Sequence, residues 1–335
     1  MALGPLRCWR LTRRTGRWRI VVFLTAMVLL LLVFAQLSRG YVGGGVAVGL
    51  SPVAVAISAD GERAVVVDAG SPRAFVLDAR RRAVVGRVEL GAPAVGAVAA
   101  PRSDRLFVVT TTNRRHNDVE VVDLRSASVV GSIPLVDRAV ARPALAGDES
   151  RLLVPSETGV QVVDLGASRV VRELPVATTA VAVGVDGRQA VSTGSGGGLD
   201  VWDVEEGIVT AQIPLGTEAV NLLWGPDRRV YVTGSDAPHA VNEVDPDTHQ
   251  VTATTPLGAG AGNMALSRDG RRLLVAVDAA RPSLVAVDTA TRREVGRYFL
   301  EPHTGRVALA ATPDDSEVFI VNTDLGTLTV DDAGR

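Results

Sequence analysis

The sequence of 335 residues predicts an all-β chain, a β-propeller of seven similar four-stranded blades closed into a ring, on three observations. First, an Asp that ends an apolar strand recurs at Asp78, Asp123, Asp164, Asp203, Asp245, Asp288 and Asp331, at spacings of 45, 41, 39, 42, 43 and 43 residues. A fixed period of this length marks stacked repeats. Second, an earlier turn recurs at Asp60-Gly61, Asp186-Gly187 and Asp269-Gly270, where Gly takes a positive φ freely. Related turns stand at Ser103-Asp104, Gly147-Asp148, Pro226-Asp227 and Asp314-Asp315. Third, strands such as 273–277 and 318–321 are apolar on both faces. With no helical periodicity of useful length after residue 40, neighbouring sheets must supply the cover.

Taken in order, residues 1–19 carry Arg7, Arg10, Arg13, Arg14, Arg17 and Arg19, with Trp9 and Trp18 among them. Residues 20–37 are then almost wholly apolar, interrupted only by Thr25 and Gln36. Eighteen helical residues rise about 27 Å, close to the roughly 30 Å hydrocarbon core of a bilayer. A transmembrane helix is therefore expected over 20–38, with the Arg cluster holding the N-terminus in the cytoplasm and the rest of the chain outside. A cleaved signal peptide is the competing reading, since Val33-Phe34-Ala35 and Ser38-Arg39-Gly40 offer small residues to a peptidase. Both readings export the domain, as a single-pass cell-membrane protein or a secreted one.

Charge divides the chain at the same place. Residues 1–40 hold seven Arg and no acid, while 41–335 hold 28 Arg against 37 Asp and Glu, giving +7 and −9. An acidic main domain without a basic stripe argues against a nucleic-acid partner. Cys8 is the only cysteine, so no intrachain disulfide forms and packing alone must hold the exported part.

A Gly-rich linker, 39–45, leads into the propeller at 46–335. The first repeat should place strands at 53–57, 64–67, 74–77 and 83–88. The last begins near Val307, adds strands at 318–321 and 327–330, and ends without a fourth. The segment 46–50 resembles the outer strand and exit of other repeats, as in Ile213-Pro214-Leu215-Gly216. It is expected to complete blade seven from the other end of the chain and so remove the open edges. The recurring Asp should cap the turn between third and fourth strands through backbone N–H groups. Trp202 and Trp224 should fill space between blades.

These residues resemble the YVTN-type seven-bladed propeller repeat family. Tyr231-Val232-Thr233-Gly234 matches its eponymous tetrapeptide except at the last residue, and Phe319-Ile320-Val321-Asn322 is a looser copy. Val287-Asp288-Thr289-Ala290-Thr291 and Val244-Asp245-Pro246-Asp247-Thr248 are similar to its strand-Asp-Thr-x-Thr turn. The resemblance covers about 46–335 and implies the fold. It implies no single activity, since the family is similar across surface-layer-like proteins, periplasmic binding propellers, and distant lactonase and quinoprotein relatives.

Residues that carry chemistry are few. The histidines are His116, His239, His249 and His303, none at metal-ligand spacing. No Cys-x-x-Cys-His exists to attach haem. Gly194-Ser195-Gly196-Gly197-Gly198 lacks the strand-loop-helix setting and the following Lys of a phosphate loop, and reads as a blade loop. No cofactor and no metal site are predicted. Propellers bind on the face formed by the loops between second and third strands and by the crossovers between blades. There the candidate ligand-binding residues are Asn113, Arg114, Arg115, His116, Asp118, Asp236, His239 and Asp278, with 110–118 as the longest polar loop. The crossovers add Arg138, Arg142, Glu218, Asn221, Asn263, Glu301 and His303. The expected function is a non-catalytic binding or interaction module for a protein, glycan or small-molecule ligand. The alternative is an exported metal-dependent, lactonase-like hydrolase using the loop acids.

Overall fold

The structure, a computed structural model, describes residues 45–332 apart from 113–115, 177, 179, 195–196, 235–238, 268 and 301–305. The basic segment 1–19, the expected helix 20–38 and most of the linker lie outside these residues. Among the described residues no helix is long and apolar enough to cross a membrane.

Seven antiparallel four-stranded sheets form a β-propeller. Blade one runs through strands Pro52–Ile57, Arg63–Asp68, Arg73–Asp78 and Ala83–Glu89 in sequential order. Five more blades repeat that order, and the seventh breaks it. Its strands Val307–Ala311, Glu317–Asn322 and Thr327–Asp332 take their fourth partner from the other end of the described chain, with Val46 opposite Leu328 and Ala47 opposite Thr327. The closing strand is shorter than the expected 46–50. After Ala47 the backbone makes one further bond, from Val48 N–H to the Gly326 carbonyl, and Gly49 then turns away at φ 141°. Val48 is fully buried and anchors the closure.

Packing explains the doubly apolar strands. In the second strand of blade one, Ala64 and Val66 join Phe319, Val321 and Leu328 in the seam with blade seven. Val65 and Val67, on the opposite face, join Leu106, Val108 and Val122 in the seam with blade two. Successive side chains of a strand point to opposite faces, so alternate residues of one strand seal two different seams. Each of the other neighbouring pairs of blades encloses its own apolar cluster. Trp202 lies in the seam of blades three and four, donating its Nε1–H to Ser192 Oγ at 2.9 Å, and Trp224 packs into the seam of blades four and five. Fully burying one Val or Leu contributes roughly 1.5–3 kcal/mol, so the seams dominate the stability of the ring.

The face carrying the third-to-fourth strand turns repeats most faithfully. Asp78, Asp123, Asp164, Asp203 and Asp288 each accept the backbone N–H three residues on, at 2.7–2.8 Å. Asp245 accepts those of Asp247 and Thr248. One residue beyond each capped turn the backbone enters the left-handed region, at Arg82, Ala127, Ser168, Gly207, His249 and Arg292. The first-to-second strand turns use a second set of carboxylates. Asp60, Asp148, Asp186, Asp227, Asp269 and Asp314 each accept the N–H two residues on. Asp104 departs from this pattern, accepting instead the Ala59 N–H of blade one.

Candidate binding site on the loop face

The opposite face is built from the second-to-third strand loops and the blade-to-blade crossovers, and its fastenings differ from blade to blade. In blade one the buried Asp68, at the end of the second strand, accepts Ser51 N–H at 2.7 Å, Gly70 N–H at 3.1 Å and the Ser71 hydroxyl at 2.7 Å. It ties the crossover from the closing strand. In blades two to five a polar residue sits three places before the capping Asp of the third strand: Glu120, Gln161, Asp200 and Asn242, all buried. Glu120 accepts Gly91 N–H at 2.7 Å and the Thr110 hydroxyl at 3.0 Å. Gln161 accepts Val136 and Asp137 N–H through Oε1 and returns a bond from Nε2 to the Asp137 carbonyl. Asp200 accepts from Gln212, and Asn242 from Thr254. Buried polar groups are retained where they satisfy backbone groups that have left the ladder. The sequence signal for this set was a polar residue breaking the same apolar strand in four consecutive repeats.

The expected polar loop at 110–118 is largely a hairpin. Its strands Arg105–Thr112 and His116–Asp123 continue the ladder past the rim, pairing Thr110 with Asp118, Thr111 with Asn117 and Thr112 with His116. The run of β-branched Thr110, Thr111 and Thr112 favours the extended backbone. Asn113, Arg114, Arg115 and Asp236 lie outside the described residues, as do Glu301, His303 and the His116 side chain. Asp118 is half-buried in the hairpin.

His239 and Asp278 lie in adjoining recesses that share Gly234. His239 lines a cavity of about 120 Å³ with Leu215, Thr217, Asn242 and Thr254. Its Nδ1 and the Thr217 hydroxyl are buried there without a hydrogen-bond partner. Asp278 lines a cleft of about 520 Å³ across blades five to seven, with Val220, Asn263, Pro282, Arg306 and Asp324. Asp278 ends the second strand of blade six opposite Gly260, as Asp68 ends that of blade one opposite Pro52. Asp68 is buried and fully bonded, whereas Asp278 is exposed and has no side-chain partner among the described residues. Among the described residues no three His, Cys, Asp or Glu are grouped to hold a metal ion. Larger clefts, of about 600 and 610 Å³, occur on the turn face, where Arg and Asp line them together and pairs such as Arg151–Asp164 at 3.0 Å balance charge.

The first strands of the seven blades form the innermost layer, each touching that of the next blade around the ring. In blade one, the half-buried Val53, Val55 and Ile57 alternate with the buried Pro52, Ala54 and Ala56. Near the loop face several of these ladders bulge. Blades one, two and five insert one residue, leaving Val53, Val95 and Val220 unpaired. Asn221 donates to Asn263 Oδ1 at 2.8 Å, and Asn263 donates to the Val307 carbonyl, so these amides are spent on joining blades five to seven. Blade three is different. Ala139 bridges Ser156 and the next pair is Ala144 with Leu153, so five steps on one side face three on the other. The two extra residues belong to the turn Val140-Ala141-Arg142-Pro143, which shortens the first strand to Ala144–Leu145. Arg142 stands just before this strand, as Glu218 and Arg306 stand just before the first strands of blades five and seven. Its backbone lies against Gly96 of blade two, where an added Cβ would come 2.7 Å from Arg142 Cα. The Arg142 side chain is exposed to solvent.

The chain is similar to a solved structure of hydrazine synthase from Kuenenia stuttgartiensis, with 17% identity over 87% of this chain and 97% of that one and a TM-score of 0.62. At that identity the likeness bears on the fold alone, and it supports the propeller. No protein-family model matches the chain, and no curated protein does. The resemblance to YVTN repeats therefore stays a likeness of motifs.

Proposed function

We propose that the chain is an extracytoplasmic propeller, tethered to the membrane by residues 20–38 or released by cleavage there, that binds a protein, glycan or small molecule on its loop face without transforming it. The observation that carries this reading is the contrast between Asp68 and Asp278. Equivalent positions in the repeat hold the same residue, yet one is consumed by the fold and the other stands exposed in a cleft beside Arg306 and Asp324. A carboxylate that secures nothing in the fold is available to a ligand. The arginines and histidine of 113–116 fall on the same face by their place in the repeat and are proposed contacts too. The kinship to YVTN repeats implied by Tyr231-Val232-Thr233-Gly234 is part of the same proposal.

The test pairs Asp278→Asn and Arg306→Ala with the triple change of Arg114, Arg115 and His116 to Ala, each screened against a glycan array and cross-linked surface partners. Retained melting temperature with at least about fivefold weaker binding supports the reading. Unchanged binding in all variants overturns it. A tight stoichiometric ion whose removal by chelator destroys ester or lactone hydrolysis would favour the hydrolase instead. Protease accessibility of the propeller in intact cells tests export: protection from added protease would contradict it.

A further inference from the structure

Resting on the reading of the loop face as a binding site, we infer that the cleft at Asp278 receives an organic cation with an aliphatic body, whose charge takes the place that an arginine fills in blade three. There Glu157 stands just past the second strand, its N–H bonded to the Arg138 carbonyl at 3.0 Å and its carboxylate paired with the Arg138 guanidinium at 2.9 Å. The crossover residue thus holds the loop acid across the first two strands. In blade six the carboxylate is kept and the cation is gone, because the residue paired with Asp278 is Gly260. The position is roomy: among the described residues, a Cβ added to Gly260 would meet only the Asp278 carbonyl, at 3.6 Å. Asp278 is exposed, and it opens onto the cleft of about 520 Å³ whose walls include Val220, Val277, Pro282, Leu300 and Val307. Walls of this kind hold hydrocarbon, while the few polar groups among them fix its orientation.

The charges around the cleft sum to an excess of acid. Arg306 is committed to Asp324, by its backbone N–H at 3.3 Å and its guanidinium at 3.8 Å. Arg281, beside Pro282, lies over the Phe299 ring at 4.3 Å. Glu218, two residues before Val220, is a further exposed acid without a side-chain partner among the described residues. Asp278, Asp324 and Glu218 therefore outnumber Arg281 and Arg306, which favours a cation over an anion. Among the described residues no three His, Cys, Asp or Glu gather to hold a metal ion, and the apolar walls match a cation that carries its own hydrocarbon.

Titration of the full-length chain with hexylammonium, hexanol, hexanoate and methylammonium, at about 20 mM salt, tests this. As expected of an exposed ion pair, hexylammonium should bind at least about threefold more tightly than hexanol, and more tightly still than hexanoate. Methylammonium, which lacks the apolar body, should bind at least about tenfold more weakly than hexylammonium. Asp278→Asn should bring hexylammonium to the level of hexanol. Gly260→Arg, which rebuilds the pair of blade three, should do the same without lowering the melting temperature. Nα-acetyl-lysine methylamide binding as tightly as hexylammonium would identify a protein side chain as the source of the cation, and weaker binding a free amine. Equal hexylammonium binding by the wild type and Asp278→Asn would overturn the inference, as would hexanol or hexanoate binding as tightly as hexylammonium. If hexylammonium fails while Asp278→Asn still weakens binding of a glycan or surface partner, the cation is removed and the binding module stands.

Discussion

The two faces of this ring are made from one repeat and use it differently. On the turn face, the same carboxylate at the same position accepts the same backbone N–H in blade after blade, and the neighbouring backbone takes the same left-handed step. On the loop face, equivalent positions diverge. Asp68 ties a crossover while Asp278 lies exposed, and the one residue inserted in blade one becomes two in blade three. Repetition marks what the fold requires of every blade; departure from it marks where one blade has been given another task.

The sharpest way to break that comparison is to open the ring, which should injure both faces together. Deleting 46–50 removes the outer strand of blade seven and the buried Val48. The loss should be at least about 3 kcal/mol, from one buried Val and the ladder bonds. Thermal melting and sedimentation read the outcome, and a truncated chain that stayed monomeric with an unchanged melting temperature would contradict closure by this strand.

A smaller effect, confined to the loop face, is expected from Gly96→Ala. The new methyl would meet Arg142 Cα at 2.7 Å and Cβ at 2.8 Å, so the crossover of blade three must shift, at about 1–3 kcal/mol. Hydrogen exchange should then rise in 139–145 and leave the turn-face caps protected.

Acid should act in the opposite sense, on the turn face first. Hydrogen bonds from Thr312 and Ser316 hold the Asp314 carboxylate down to about 2 from an ordinary 3.8, and the Thr291 backbone N–H and hydroxyl lower that of Asp288. Bonds from Ser58 to Asp60, Ser126 to Asp123 and Ser267 to Asp269 act in the same direction. A carboxylate depressed by folding stabilises fully above its unfolded pKa and loses that contribution as pH falls through the folded value. The melting temperature should therefore fall between about pH 4 and pH 2, and Asp314→Asn should flatten part of that slope. A profile without slope over this range would show that the caps contribute nothing.

The smallest change should be a gain. Ser168 holds φ 52° in the step where blade four has Gly207 at 73°. Ser168→Gly relieves a strained backbone, partly offset by greater freedom in the unfolded chain, for a net rise of about 0.5 kcal/mol in denaturant titrations.

The same contrast explains what could be read from the residues beforehand. The strand-Asp turns, the doubly apolar strands and the shared seventh blade were legible because each rests on a local rule repeated every forty-odd residues. The closing strand proved shorter than expected because Gly49 leaves the ladder at once, and the supposed loop at 110–118 proved a hairpin because its three Thr extend the pairing. Glu120, Gln161, Asp200 and Asn242 escaped notice since each looks like an ordinary polar residue until the repeats are superposed. Arg142 could be placed on a crossover from sequence. The two-residue insertion in which it lies is revealed only by the pairing of blade three.

Those two residues also decide a question of symmetry. Seven near-equal wedges around an axis would accept a guest in any of seven rotations, with nothing to choose among them. The insertion in blade three gives the ring a single azimuth, so a partner that meets that part of the rim would always present the same side to whatever approaches next.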